Sequence, residues 1–182
     1  RDISQFDNKR KPDSEQAIYW SLYDEEGKEY KFSGRIDKLL VTQNEGRNYF
    51  TIIDYKTGTE TFNPYELFLG KSTQLPLYTY ALLNNDKQRK ALVGESEFGG
   101  FGIQHVYFSS FKKAFVNKKG VISKKELKSK GRLEGVALNS KDYWLSIDET
   151  GYNHDKDSLS QYGGTFVTKK ILFNSLESEE NV

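Results

Sequence analysis

Gly34-Arg35-Ile36-Asp37 and Ile52-Ile53-Asp54-Tyr55-Lys56 are the two stretches that decide how this chain folds, with the turn Asn44-Glu45-Gly46-Arg47 between them. Folding the flanking strands about Glu45-Gly46 pairs residues whose numbers sum to 91, and this register sets Asp37 opposite Asp54. Opposed residues of an antiparallel pair hold their Cβ atoms roughly 4.5–5.5 Å apart. Two carboxylates at that separation repel unless one is protonated or a cation lies between them. Lys56 follows Asp54 by two residues and so projects from the same strand face. The neighbours Ile36, Leu39, Leu40, Ile52 and Ile53 make both strands apolar on both faces. Burying two carboxylates and an ammonium among such residues is costly without a compensating ion. A solvated salt-bridge ladder is the alternative; the apolar surroundings raise the case for a metal, and on the residues alone both readings stand.

Outward from this pair, the pattern predicts an antiparallel meander. Ile18, Trp20 and Leu22 alternate with Ala17, Tyr19, Ser21 and Tyr23 in a first strand opening at Glu15. After the turn Asp24-Glu25-Glu26-Gly27, a second strand runs from about Glu29 to Leu40, and a third from Asn48 to Lys56. Asn63-Pro64 reads as an N-cap and first helical position of a short helix stopping at Gly70. Ser72 or Thr73 then caps a longer helix reaching Leu83, where Pro76 is tolerated within the first turn. Gly99 to Ser110 reads as another strand, followed by a lysine-rich stretch and a mixed tail. Residues 1–14 are a polar lead-in, 15–174 the folded domain and 175–182 an acidic tail.

Composition narrows the function classes. Across 182 residues, 27 basic against 26 acidic side chains give a net charge of +1, which excludes a histone-like polycation. Within 112–132, however, nine basic residues face the single acid Glu126, while 18 basic and 25 acidic residues make up the rest. That asymmetry suits phosphate contacts, and it nominates Lys112, Lys113, Lys118, Lys119, Lys124 and Lys125 for DNA binding. Cysteine is absent, which removes disulfides, thiolate zinc sites and iron–sulfur ligation by this chain, and fits a reducing, cytoplasmic location. No apolar run approaches 18 residues and no signal peptide is recognisable, so no membrane association is expected. A chain that opens on Arg1 and has no methionine is expected to be a piece of a longer protein.

Gly34-Arg35-Ile36-Asp37, Ile52-Ile53-Asp54-Tyr55-Lys56-Thr57-Gly58 and Gln74-Leu75-Pro76-Leu77-Tyr78, in this order and spacing, resemble the PD-(D/E)xK nuclease superfamily. Within it the resemblance is to the RecB/AddB-type nuclease domain of bacterial helicase–nucleases, over about residues 15–148. Gly102 to Phe108 and Gly131 to Leu138 are weaker matches to its later segments. The resemblance implies an α/β fold with a restriction-endonuclease-like core: a mixed central sheet opened by the meander and flanked by helices. It implies Asp37 and Asp54 as side-chain metal ligands and the Tyr55 carbonyl as a backbone ligand, all hard oxygens suited to Mg²⁺ or Mn²⁺. Lys56 would then orient the attacking water or stabilise the transition state, with Gln74 and Tyr78 leaning toward the site or the DNA backbone.

Two departures stand out. Relatives carry a further His or Glu ligand on an upstream helix, which is not seen here; Glu15 is the nearest acid and reads as structural. Many AddB-type domains also hold an iron–sulfur cluster through four cysteines, which this chain lacks. His105 and His154 read as a packed and a loop histidine. The expected activity is metal-dependent DNA exonuclease chemistry beside a helicase partner in double-strand break repair and recombination. The competing expectation is an inactive nuclease fold that binds DNA or scaffolds, with an aromatic-rich carbohydrate binder more distant.

Overall fold

Two hairpins that share one continuous run of chain organise the N-terminal half. The computed structural model describes residues 15–58, 60–106, 131–159 and 167–173; the lead-in, nearly all of the basic segment and the acidic tail lie outside them. Strand β1 (Gln16–Tyr23) pairs antiparallel with β2 (Glu29–Ile36), and β3 (Lys38–Asn44) pairs antiparallel with β4 (Arg47–Lys56). The β1–β2 pair is a sheet of its own, whereas β3 and β4 begin a five-stranded sheet. The strand expected from Glu29 to Leu40 is therefore two strands, divided at Asp37, and the expected meander changes sheets there. Physically, Asp37 bends the chain and substitutes its side chain for a ladder acceptor: Tyr55 N–H donates to Asp37 Oδ2 at 2.8 Å.

The β3–β4 turn fixes the register. Glu45 and Gly46 have φ of 46° and 85°, the positive pair that lets a two-residue turn follow the strand twist. Asn44 pairs with Arg47 and the ladder runs to Lys38 opposite Ile53, as the sum of 91 requires.

Strand β4 next pairs in parallel with β5 (Glu97–His105). Parallel neighbours cannot be joined by a tight turn, and the crossover is supplied by α1 (Pro64–Phe68), α2 (Gln74–Leu83) and α3 (Asp86–Val93). Asn63 caps α1 by accepting from Tyr65 N–H at 3.0 Å, with Pro64 in the first turn. Thr73 occupies the α2 cap position but makes no side-chain capping bond. Asn85 caps α3 through Gln88 N–H. Beyond the basic segment come β6 (Leu133–Leu138), α4 (Lys141–Ile147), the short pair β7 (Tyr152–Asn153) and β8 (Ser158–Leu159), and β9 (Val167–Phe173). The main sheet has the order β3-β4-β5-β6-β9. This is the mixed, helix-flanked α/β sheet expected. No helix among the described residues is long and apolar enough to cross a membrane.

The sheet is covered on both faces. Phe50 and Ile52 of β4 pack with Phe101 and Ile103, Leu75, Ala81 and Leu82 of α2, and Ile18 of β1. The alternate residues Tyr49 and Ile53 pack with Tyr143 and Trp144 of α4 and with Leu133 and Ala137. β4 is accordingly buried from Tyr49 through Asp54. Polar groups inside this second layer are paired: the Thr51 and Tyr143 hydroxyls lie 3.0 Å apart and those of Thr42 and Ser146 2.8 Å apart. Burial pushes the Tyr143 hydroxyl pKa above its ordinary value. Buried Asp148 accepts from Val167 N–H at 2.8 Å, tying the start of β9 to the end of α4.

The Thr51–Tyr143 pair gives a stability test. Thr51→Val or Tyr143→Phe leaves one buried hydroxyl without its partner and is expected to cost about 1–3 kcal/mol. The double variant should cost less than the two losses combined, because it strands neither group. Urea denaturation of the four proteins checks this.

Candidate active site

At the C-terminal end of β4 the alternation of the strand separates two kinds of side chain. Asp54 and Lys56 continue the face of Phe50 and Ile52, which is covered by α2, while Tyr55 points to the layer of α4. Asp54 is 6% exposed, and a carboxylate so enclosed requires partners. It has two: Lys56 Nζ lies 2.6 Å from Asp54 Oδ2, and Gln74 Nε2 donates to Asp54 Oδ1 at 3.1 Å. Gln74 reaches across because it is the first residue of α2, the helix laid on this face. The same amide nitrogen donates to the Tyr78 hydroxyl at 3.3 Å, one helical turn further on.

Asp37 stands immediately before β3, on the strand neighbouring Asp54. The ladder stops at Lys38–Ile53, one pair short of Asp37–Asp54, and the Tyr55 N–H holds the Asp37 carboxylate against the β4 backbone. Because N–H and C=O of one residue leave a strand on the same edge, the Tyr55 carbonyl opens on the side where Asp37 sits. Asp37 holds its proton more tightly than an ordinary carboxyl: desolvation is the largest cause, the Tyr55 N–H opposes it, and the charges of Asp54 and Glu15 add to it. Glu15 itself pairs with Arg35 at 3.1 Å. The structure thus brings Asp37, Asp54, Tyr55, Lys56, Gln74 and Tyr78 together. Lys112, Lys113, Lys118, Lys119, Lys124 and Lys125 lie outside the described residues. His105 is buried at the end of β5, in register with Lys56, and His154 lies edge-on to Tyr152 in the loop after β7.

A cleft of about 360 Å³ opens beside the Asp54–Lys56 pair. Phe62, Leu67, Leu75 and Ile103 give it an apolar lining, and Lys71 and Glu66 stand among its polar groups. These lining residues are not legible in the sequence, although the Asn63-Pro64 signal for α1 is the cue that a wall begins there. A second feature that sequence reasoning misses is Gly34: a methyl group on it would lie 2.5 Å from Tyr78 Cε1.

The donor set fits a small hard cation. Asp54 already holds the Lys56 ammonium, Asp37 is near enough to feel both charges, and no thiolate competes. Among the described residues no group of three or more His, Asp or Glu side chains forms a metal site. The set therefore matches an ion that keeps several waters, as Mg²⁺ does.

A profile of the PD-(D/E)XK nuclease superfamily matches residues 4–158. The chain belongs to that superfamily. As a PD-(D/E)XK protein it is 32% identical over 126 residues to the B subunit of the ATP-dependent helicase/deoxyribonuclease of Caldanaerobacter subterraneus subsp. tengcongensis, covering 68% of this chain and 10% of the relative. The protein of the same name from Carboxydothermus hydrogenoformans is 32% identical over 133 residues, covering 70% and 11%. That of Clostridium perfringens is 28% identical over 131 residues, covering 68% and 10%. This PD-(D/E)XK chain spans about a tenth of the length of the curated relatives it matches.

The raised pKa of Asp37 has a definite sign in stability. A carboxyl whose folded pKa exceeds its ordinary 3.8 contributes stability below that value and loses it as pH rises through the folded pKa. Asp37→Asn keeps an acceptor for Tyr55 N–H and has no charge to desolvate. Without divalent cation it is expected to melt above the parent at neutral pH, with the gap closing as the pH falls into the carboxyl range. Scanning calorimetry from acid to neutral pH checks this.

Proposed function

We propose that this chain is the nuclease part of a bacterial helicase–nuclease and hydrolyses DNA phosphodiester bonds with Mg²⁺ or Mn²⁺. The observation that carries the reading is the Asp54–Lys56–Gln74 cluster beside Asp37, at the end of a parallel strand pair and at the wall of a cleft. It stands in a superfamily of nucleases. Residues Asp37 and Asp54, with the Tyr55 carbonyl, are the groups that would hold the ion. When bound, the ion supplies Lewis-acid stabilisation of charge on the phosphate and eases deprotonation of a water. The chain's own residues do the rest. Lys56 directs an ammonium toward charge that grows as the phosphate becomes five-coordinate, and Asp54 keeps that ammonium in place beforehand. Tyr55 N–H fixes the Asp37 carboxylate, so neither acid has to be reoriented during the reaction. Gln74 and Tyr78 line the approach of the DNA backbone.

The names of the relatives support a helicase partner, on another chain or the same one, and DNA as substrate. Exonuclease action, a role in double-strand break repair and recombination, and a cytoplasmic location complete the proposal. Lys112, Lys113, Lys118, Lys119, Lys124 and Lys125 are proposed as phosphate contacts. A non-cutting, DNA-binding or scaffolding form is the competing reading. What favours it is that no group of three or more acid or histidine side chains forms a metal site among the described residues.

Crossed variants separate the two. Lys56→Ala is expected to lower hydrolysis by orders of magnitude with DNA affinity nearly unchanged, because Lys56 acts on charge that develops only in the transition state. Replacing the six lysines by glutamine should do the reverse, weakening binding and flattening its salt dependence while sparing turnover at saturating DNA. A metal-loaded protein that binds DNA without cutting it, and is indifferent to Lys56→Ala, overturns the nuclease reading.

The ion is tested apart from activity. Asp54→Asn should remove Mn²⁺ binding measured by calorimetry; an unchanged affinity would place the ion elsewhere.

A further inference from the structure

The β1–β2 hairpin lies outside the main sheet, yet one of its faces touches the cluster around Asp54. Cross-strand pairing puts Trp20 opposite Phe32 and Ile18 opposite Gly34, so these four share a face. Trp20 stacks on Phe32 with ring centroids 5.5 Å apart. Its ring also meets Tyr78 edge-on at 6.4 Å. Next to it, Gly34 leaves the space that the Tyr78 ring fills: a Cβ there would fall 2.5 Å from Cε1 and 3.1 Å from the hydroxyl oxygen. The ring is thus bounded by Trp20 on one side and by bare Gly34 backbone on the other.

The position of that ring has a chemical consequence. The Tyr78 hydroxyl accepts from Gln74 Nε2, and the same nitrogen donates to Asp54 Oδ1. A primary amide has two N–H groups, and here both are engaged. This fixes the amide plane, and with it the direction in which one oxygen of Asp54 is held. Gln74 is exposed, so without the tyrosine its side chain has water to bond and several rotamers to sample.

The geometry points to Gly34 and Trp20 as positioning residues: the hairpin seats Tyr78, Tyr78 orients the Gln74 amide, and the amide orients Asp54. The catalytic consequence rests on the nuclease reading above; the seat itself does not. Gly34 is needed for room. Its φ is not among the positive values of the chain, so alanine fits the strand backbone and displaces only the ring.

The test uses the full chain and three variants, Tyr78→Phe, Gly34→Ala and the double variant. Two readouts are taken: single-turnover DNA hydrolysis at saturating Mg²⁺, and the ¹H–¹⁵N resonances of the Gln74 side-chain amide, identified by their loss in Gln74→Ala. Tyr78→Phe keeps the ring and removes the acceptor; Gly34→Ala keeps the acceptor and moves it. Each is expected to slow hydrolysis by up to about tenfold, the scale of one neutral hydrogen bond, and to shift the Gln74 amide resonances. The double variant should be no slower than the slower single one, since both break the same link. Losses that multiply in the double variant, or Gln74 resonances unmoved by Gly34→Ala, overturn the proposal. If the parent chain does not cut DNA, the nuclease reading falls and the resonances alone decide. Shifts in both single variants uphold the seat, and an unmoved amide in Gly34→Ala rejects it. Should Gly34→Ala fail to fold, Trp20→Phe, a smaller ring at the same contact, supplies the second arm with the same expected shift.

Discussion

The hydrogen bond from Tyr55 N–H to the Asp37 carboxylate is the point on which the architecture turns. At Asp37 the chain leaves one sheet and enters another, and a strand that changes partners exposes backbone groups to being left unpaired. The side chain closes that gap by acting as the next acceptor along β4. The bond has two effects. It ends the β3–β4 ladder without an orphan N–H, and it holds a negative charge beside the end of a strand buried from Tyr49 through Asp54. Desolvation then raises the pKa of the same carboxyl. A structural requirement and a site requirement are thus met by one oxygen atom.

β4 can carry this arrangement because it is held from all sides. It has β3 on one edge, β5 on the other, α2 over one face and α4 over the other. Rigid support of this kind is what allows a buried carboxylate to keep a defined direction. The hydroxyl pairs Thr51–Tyr143 and Thr42–Ser146 belong to the same scheme, since each bridges the sheet to α4 through a buried, directional contact. Apolar packing alone would permit α4 to slide; paired hydroxyls penalise displacement.

How much of this is legible in the sequence depends on how local the information is. The β3–β4 register is, because Glu45-Gly46 fixes the turn and a two-residue turn fixes every pair behind it. The gathering of Asp37, Asp54 and Lys56 follows from that register, and α1 follows from the Asn63 cap. The division at Asp37 is not legible, since Ile36-Asp37-Lys38-Leu39 continues a strand pattern and the change of partner is a tertiary event. α3 escapes notice because its eight residues bury Val93 alone and so show little apolar periodicity. α4, β6 and β9 escape it because they are short and their partners lie far away in sequence. The seat of Tyr78 on Gly34 joins a strand to a helix 44 positions later, and although both residues stand in recognised motifs, their contact is a tertiary event that neither motif reveals.

The charged and hydrogen-bonding residues described around Asp54, namely Asp37, Lys56, Gln74 and Tyr78, fall between positions 37 and 78, although the sheet that buries them is completed only by β9. The site is therefore a segment of low contact order inside a fold of higher contact order. A β-hairpin closes in about 1–10 μs and a short helix relaxes faster still, whereas the parallel pairings of β5 and β9 must wait for the closure of long loops. The carboxylates can meet early in folding, while β4 still has one face in water. Their mutual repulsion is then weakest, screened by solvent. The later strands arrive on charges already placed, so desolvation falls late in the folding reaction. Substitutions of Asp37 should consequently alter the unfolding rate more than the folding rate.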